Sequence, residues 1–242
     1  MGPITGGRLR LRFHAEGHLP VTYREGLQAA LYRALPSPLG EALHDRGLVP
    51  GGRPLKLFVF SRLLGLRYLP EAKAFAAGGE VTLYFASALG EVLSGLVRGL
   101  WERGGLEVHG LFLRLVELGL EPLPTGGKVV VEALAPITVY RTEGGATRYF
   151  NPLNREFGLL LQANLQRKAE ALGLEAGPFR VRPLGFRPKH KRLERYKGTW
   201  VEGWMGRFRL EGPPHLVRLA LLSGLGAKNS QGFGFVREVE GC

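Results

Sequence analysis

The chain has 242 residues, of which 33 are Lys or Arg and 21 are Asp or Glu, so its formal net charge at pH 7 is +12. This length fits one large or two small domains, and the positive balance favours a polyanion as partner. No apolar run approaches the roughly 18 residues of a membrane-spanning helix, and the start of the chain alternates like a strand rather than a signal peptide. We therefore expect a cytoplasmic protein without a membrane partner.

Cysteine and histidine give little support for a metal site. The single cysteine, Cys242, excludes an internal disulfide framework and a thiolate metal cluster. The six histidines lack HxH or HExxH spacing. No metal and no cofactor is expected.

The first half of the chain alternates strand-like and helical patterns. Strands are predicted over residues 8–13, 55–63, 81–85 and 107–115, helices over 22–35, 38–46 and 89–103, and a hairpin turn around Gly78-Gly79. This order is β-α-β-β-α-β, which is typical of a ferredoxin-like fold.

A second round of the same pattern follows a proline- and glycine-rich boundary at residues 121–127. Strands are predicted over 128–132, 137–141 and 233–239, a hairpin over 179–210, and helices over 154–172 and 214–222. The predicted fold class is therefore α+β, with two tandem ferredoxin-like domains at residues 1–124 and 125–242. The first would carry a catalytic site, and the second a basic hairpin and a glycine-rich loop.

The glycine-rich loop extends from Gly224 to Phe235, between a predicted helix and a predicted strand. Its glycines let a backbone approach a ligand and expose N–H groups, and its polar side chains add contacts, which together suit a phosphate backbone. The candidate RNA-binding residues are Gly224, Gly226, Lys228, Asn229, Ser230, Gly232 and Gly234. A glycine-rich helix cap is the alternative. Mononucleotide binding is a weaker one, because Walker spacing is missing.

A second candidate RNA-binding segment, here called the basic stretch, covers residues 180–197. It contains eight basic residues and one acid, Glu194. The basic residues are Arg180, Arg182, Arg187, Lys189, Lys191, Arg192, Arg195 and Lys197. The nearby rings of Phe186, Tyr196, Trp200 and Trp204 would stack on bases. A merely solvated charged hairpin is the alternative.

Three polar residues near the N-terminus lie away from the predicted core. Tyr32 is roughly 130° from the apolar stripe of its helix, and His44 is roughly 150° from the stripe of the next helix. Lys56 opens a strand on the face opposite Leu55 and Leu57. These residues could form one site, although each could also be an ordinary surface residue.

Four motifs resemble a known family. They are Ala30-Leu31-Tyr32-Arg33, Leu43-His44-Asp45, the segment from Leu55 to Ser61, and the GxGxKNSxGFG sequence of the glycine-rich loop; Ala135-Pro136-Ile137 adds to them. The chain is identified by this resemblance as a CRISPR repeat-processing endoribonuclease of the RAMP superfamily, the stand-alone type that cuts precursor CRISPR RNA.

The resemblance implies His44 as the catalytic histidine, Tyr32 as its partner and Lys56 as the lysine beside the scissile phosphate. It implies metal-independent cleavage, in which the upstream 2′-hydroxyl attacks the phosphate and leaves a 2′,3′-cyclic phosphate and a 5′-hydroxyl. Whether Tyr32 or His44 is the base stays open. Arg33, Arg53 or Arg62 could replace Tyr32 or Lys56, and His18 is a reserve for His44.

A different function uses the same binding features without catalysis. In this alternative the chain is a non-catalytic subunit that holds repeat or guide RNA in a CRISPR ribonucleoprotein. In either case the expected partner is CRISPR repeat RNA. A homodimer and transfer of the product to a CRISPR effector complex are left open.

Overall fold

Two antiparallel sheets organise the computed structural model of this chain, which describes residues 4–45 and 55–239, with His44 and Asp45 described as backbone only. The described helices are α1 (Arg24–Ala34), α2 (Ser37–Asp45), α3 (Gly90–Arg103), α4 (Arg155–Ala171) and α5 (Pro214–Ser223). These agree with the predicted helices to within two residues, although Arg46 of the predicted second helix lies outside the described residues. None of the described helices is long and apolar enough to cross a membrane.

The first sheet is built on one long strand. Its strands are β1 (Gly7–Pro20), β2 (Phe58–Phe60), β3 (Arg67–Leu69), β4 (Ala74–Ser87), β5 (Gly105–Val108) and β6 (Leu111–Glu121). The order is β2-β4-β1-β6-β5, and β3 pairs with β4. β1 pairs with β4 from Gly7↔Ser87 to Pro20↔Ala74. Since Leu9, Leu11 and Phe13 alternate with arginines, one face of β1 is buried and the other carries charge.

Two turns of this sheet differ from the prediction. Gly78 and Gly79 lie inside β4, opposite Glu16 and Ala15, so the turn predicted there is wrong. The chain turns instead before β4, where the N–H of Lys73 donates to the carbonyl oxygen of Pro70. The strand predicted over 107–115 is two strands, because His109 and Gly110 both adopt positive φ angles (49° and 80°) and form a tight hairpin turn.

The second sheet has the order β10-β13-β7-β14. The strands of this half are β7 (Lys128–Ala133), β8 (Tyr140–Glu143), β9 (Ala146–Tyr149), β10 (Arg180–Leu184), β11 (Lys191–Tyr196), β12 (Thr199–Trp204), β13 (Arg207–Glu211) and β14 (Val236–Glu238). β8–β9 and β11–β12 are separate hairpins. The hairpin predicted over 179–210 is therefore a β10–β13 pair with β11–β12 inserted between its strands.

Strand β2 lies between the two hydrophobic cores of the molecule. Phe58 and Phe60 pack into the core beneath α1 and α3, whereas Val59 packs into the core of the second half. All three side chains are buried, as expected for a strand with both faces covered. The two halves consequently share a packed boundary, and the segment that precedes β2 enters this boundary directly.

Candidate active site and RNA interface

Tyr32 lies near the end of α1 and is half-buried. Its ring packs edge-on against Phe58, with the ring centres 5.7 Å apart. Burial raises the pKa of Tyr32, and the nearby side chain of Ser230 opposes this rise only in part. The phenol is therefore protonated at neutral pH, and it contacts the glycine-rich loop of the other half.

Lys56 lies against Tyr32, with its Nζ 5.2 Å from the centre of the ring. The prediction that Lys56 opens a strand is wrong, because β2 begins at Phe58 and Leu57 has a left-handed backbone (φ 50°). This conformation is uncommon for a branched residue, and it is stabilised here because the carbonyl of Leu57 accepts hydrogen bonds from Ala88 N–H and Ser87 Oγ. The bend directs the chain from Lys56 into the buried strand.

His44 is the second-last residue of α2, and its side chain lies outside the described part of the chain. Its convergence with Tyr32 and Lys56 therefore stays a prediction. The backbone of α2 packs closely on α1, since a Cβ on Gly40 would lie 3.2 Å from the carbonyl oxygen of Tyr32.

The reserve candidates occupy other positions. Arg33 is exposed, and its guanidinium donates to the carbonyl oxygen of Glu107. Burial lowers the pKa of Arg62, which lies near Tyr23. His18 lies within β1, where it is exposed, and not in a loop after the strand as predicted. Arg53 is outside the described residues.

The four glycines of the glycine-rich loop are required by the packing of the protein itself. All are buried and have φ angles between 73° and 83°. A Cβ on Gly226 would overlap the carbonyl oxygen of Thr138, one on Gly232 the ring of Phe60, and one on Gly234 the carbonyl oxygen of Leu225. Intramolecular packing therefore explains the glycine spacing, and contact of these glycines with RNA stays a prediction.

Most polar groups of the loop are bonded within the protein. Its N–H donors to protein carbonyl groups are Gly224, Leu225, Ala227, Gln231, Gly232, Phe233 and Gly234. The Nδ2 of Asn229 donates to the carbonyl oxygens of Leu225 (3.1 Å) and Phe233 (3.0 Å). These backbone N–H groups are thus used within the protein, whereas contact of the loop and of Asn229 with RNA stays a prediction. Lys228 and Ser230 are half-buried at the surface of the loop.

The loop borders a cavity of about 300 Å³ that lies between it and the segment before β2. Residues from both halves line this cavity, and four of them are basic. The basic residues are Lys56, Arg167, Lys168 and Lys228. Tyr140 of β8 also lines it, with its ring centre 5.6 Å from Lys228 Nζ. Such a pocket suits a phosphate group.

Helix α1 connects the loop to the basic stretch. Gln28 Nε2 donates to the carbonyl oxygen of Ser230 (2.8 Å), while Gln28 Oε1 accepts a hydrogen bond from the hydroxyl of Tyr196. One turn earlier, Arg24 forms an ion pair with Glu194 and donates to the carbonyl oxygen of Gly232. The helix that carries Tyr32 therefore contacts both predicted RNA-binding segments.

The basic stretch is exposed in the structure, as binding to RNA requires. All eight of its basic residues are solvent-exposed, from Arg180 in β10 to Lys197 after β11. The single acid of the stretch, Glu194, forms an ion pair with Arg24. Lys191 pairs with Glu202, whereas the guanidinium of Arg192 donates to backbone carbonyl groups of Lys189 and Lys191. Phosphate binding by these residues stays a prediction.

The aromatic part of that prediction needs correction. Tyr196 and Trp204 are buried, and Trp204 Nε1 donates to the carbonyl oxygen of Phe150. Phe186 packs edge-on against Trp204. Only Trp200, which is 56% exposed, has a ring free of the core among these four aromatics.

Several residues around the cavity were not found from the sequence. Arg24 and Lys168 lie on the apolar stripes of their helices, three residues from Leu27 and from Leu165 respectively. A charged residue within such a stripe indicates a buried polar contact, so both residues could have been identified from the sequence. No sequence pattern identifies Tyr140, because only the fold brings β8 beside the loop. Among the described residues, no group of three or more His, Cys, Asp or Glu side chains is placed to hold a metal ion.

Comparison with known proteins agrees with this arrangement. The family model "CRISPR associated protein Cas6, C-terminal" matches residues 120–238. The CRISPR-associated endoribonuclease Cas6 1 of Methanocaldococcus jannaschii is 28% identical over 232 residues, covering 92% of this chain and 88% of the relative. A Pyrococcus furiosus protein of the same description is also 28% identical, with 92% and 84% covered.

Solved structures give the same result. A CRISPR-associated protein Cas6 superposes with a TM-score of 0.78 at 26% identity, over 97% of this chain and all of that chain. A Cas6-related protein of Pyrococcus furiosus reaches 0.82 at 19% identity, over 98% of this chain and all of that one. A Cas6 product complex, at 20% identity and similar coverage, reaches 0.65. This α+β fold is that of a CRISPR-associated RAMP protein. Within that class, the chain belongs to the Cas6 family of CRISPR-associated endoribonucleases.

Proposed function

We propose that this protein cleaves precursor CRISPR RNA within its repeats, without a metal ion. The observation that carries the proposal is that Lys56 and Ser230 line one basic cavity at the boundary of the two halves, and that Tyr32 lies against Lys56. The relatives named as endoribonucleases and the Cas6 product complex support RNA as the substrate.

The proposed reaction is an internal transfer of the phosphate. The 2′-oxygen of the upstream nucleotide forms a bond to phosphorus while the bond from phosphorus to the 5′-oxygen breaks. The 2′-hydroxyl loses a proton to a base, and the leaving 5′-oxygen gains one from an acid. The products are a 2′,3′-cyclic phosphate and a 5′-hydroxyl, so atoms and charge balance without a co-reactant.

Three side chains would share the proton transfers and the charge. A histidine with an ordinary pKa near 6.5 exchanges protons readily at neutral pH, which suits His44. Because the raised pKa keeps Tyr32 protonated, we assign it a donor role. The ammonium of Lys56 would offset the negative charge that develops on the phosphate oxygens.

We also propose that residues 1–124 and 125–242 are tandem ferredoxin-like domains. The strand orders β2-β4-β1-β6 and β10-β13-β7-β14 support this proposal, because each matches the split βαβ arrangement with all neighbours antiparallel. The RNA would then lie across the exposed basic stretch and enter the cavity beside the glycine-rich loop.

Replacement of His44 by Ala tests the catalytic assignment. We expect single-turnover cleavage of repeat RNA to slow by at least about 100-fold while RNA binding persists, because only acid–base transfer is lost. His18→Ala is the matched control and should cleave like the wild type. Unchanged cleavage by His44→Ala would remove His44 from the mechanism, and a loss in His18→Ala would assign the role to His18.

The substrate tests the chemistry independently of the protein. A single 2′-deoxy nucleotide immediately upstream of the cut should block cleavage, and EDTA should leave the rate unchanged. If EDTA stops the reaction, the protein is a metal-dependent nuclease. If the wild type binds repeat RNA tightly and never cuts it, the non-catalytic RNA-binding subunit is the correct description.

A further inference from the structure

Lys168 is a buried lysine on α4 whose side chain is 3% exposed. Its Nζ donates three hydrogen bonds, to the carbonyl oxygens of Ser223 (3.0 Å) and Gly224 (2.7 Å) and to Asn229 Oδ1 (2.9 Å). None of these acceptors carries a charge. The three donors of the ammonium are thus matched by three acceptors, which is an uncommon environment for a lysine.

These three acceptors lie at the junction of α5 with the glycine-rich loop and in the centre of the loop. Ser223 and Gly224 are at the end of α5, where the loop begins, and Asn229 is in its centre. The amide nitrogen of Asn229 extends the connection to the carbonyl oxygens of Leu225 and Phe233. Lys168 is therefore the point at which α4 fixes the start and the centre of the loop together.

The loop residue next to Asn229 contacts the candidate active site. The side chain of Ser230 lies near Tyr32, whose raised pKa it partly lowers, and the carbonyl oxygen of Ser230 accepts a hydrogen bond from Gln28 on the same helix. Lys228, on the other side of Asn229, lines the cavity together with Lys56. A shift of Asn229 would consequently move the contacts of both neighbours at the cavity.

We propose that Lys168 is a positioning residue for RNA cleavage, which holds the glycine-rich loop so that Ser230 and Lys228 face the reacting phosphate. This inference rests on the proposed endoribonuclease function. Lys168 acts through the loop, because its three donors are all occupied by protein atoms.

The energetic cost of this lysine supports a positioning role over simple space filling. Burying an ammonium is expensive, and desolvation lowers the pKa of Lys168 to about 7, with the charge of Arg167 acting in the same direction. A Met or Leu side chain would fill the same space without this cost. The hydrogen bonds of Lys168, however, specify one loop conformation, which an apolar side chain would not do.

The test compares Lys168→Met with Lys128→Met, which removes an exposed lysine on β7. Three quantities are measured: single-turnover cleavage of repeat RNA, affinity for the same RNA carrying the blocking 2′-deoxy nucleotide, and amide hydrogen exchange of residues 224–235. For Lys168→Met we expect cleavage to slow about 10- to 100-fold, affinity to change less than about threefold, and exchange in the loop to accelerate. Lys128→Met should match the wild type in all three.

A double variant separates positioning from general loss of structure. Since Lys168 acts through the loop, Lys168→Met combined with Ser230→Ala should cleave no more slowly than the slower single variant. Asn229→Ala, measured in the same way, provides a second route to the same effect if Lys168→Met does not fold.

The outcomes distinguish this inference from the proposed function. If the wild type does not cleave repeat RNA, the proposed function is contradicted. Amide hydrogen exchange of residues 224–235 in Lys168→Met still tests whether Lys168 holds the loop in place. Wild-type cleavage rates in a folded Lys168→Met variant, equal losses of affinity and rate, or unchanged loop exchange would each overturn the role of Lys168.

Discussion

The glycine-rich loop and the basic stretch have similar chemistry in the sequence and opposite roles in the structure. The glycines of the loop are buried, and the loop is hydrogen-bonded to α1 and α4 and packed against β2. All eight basic residues of the basic stretch are exposed. Both segments could bind phosphate on composition alone. The loop is therefore part of the packed boundary between the two halves, whereas the basic residues of the stretch present their charge to solvent.

The largest expected effect is on stability, in the loop. Gly234→Ala should destabilise the protein by about 3 kcal/mol or more, because its left-handed φ of 78° disfavours a side chain and its Cβ would overlap the carbonyl oxygen of Leu225. Gly198→Ala, in the β11–β12 turn, is the matched control. It has nearly the same φ (77°) with open space around it, and should cost only about 1 kcal/mol. Equal denaturant midpoints for the two variants would contradict the buried role of the loop.

The next effect is on RNA affinity, in the basic stretch. Replacing Arg192, Arg195 and Lys197 together by Ala should weaken binding of repeat RNA about 30-fold at 0.15 M salt and reduce the salt dependence of binding. The melting temperature should change little, since these side chains are exposed. Removal of one exposed arginine outside the stretch, Arg67→Ala, serves as control. Unchanged affinity in the triple variant would show that the stretch is only solvated.

A third, smaller effect concerns pH. The pKa of Lys168, lowered to about 7 in the fold, is near 10.4 in an unfolded chain. Between these two pKa values, Lys168 is more fully protonated in the unfolded chain than in the folded protein. Titration of Lys168 therefore increases the free energy of unfolding as pH rises from about 7 to 10, by at most about 1.4 kcal/mol per pH unit. In chemical denaturation, the free energy of unfolding of the wild type minus that of Lys168→Met should increase with pH over this range. A difference that does not vary with pH would refute the prediction.

The smallest expected effect concerns the exposed ring of the β11–β12 hairpin. Trp200→Ala should weaken RNA binding about 5- to 10-fold if a base stacks on this ring. Trp101→Ala removes a similarly exposed ring from α3, 80% exposed, and should leave affinity unchanged. Equal effects of the two substitutions would exclude specific stacking on Trp200.

The helices could be predicted from the sequence because their apolar periods are long and their ends are marked. The turns were predicted less well: Gly78-Gly79 signals a turn locally, but continuous pairing of β4 with β1 overrides that signal. The catalytic candidates Tyr32 and Lys56 were found from their positions and the family motifs. The bend at Leu57 and the place of Tyr140 depend on contacts between distant segments, which no local pattern encodes.

The chemical ends of the cleaved RNA distinguish metal-independent cleavage from other activities. Wild-type protein is incubated with repeat RNA in EDTA, and the termini of the fragments are identified by mass spectrometry. The account predicts one cut with a 2′,3′-cyclic phosphate on the upstream fragment and a 5′-hydroxyl on the downstream fragment. RNA that stays bound and intact, or fragments that carry 5′-phosphates, would contradict it.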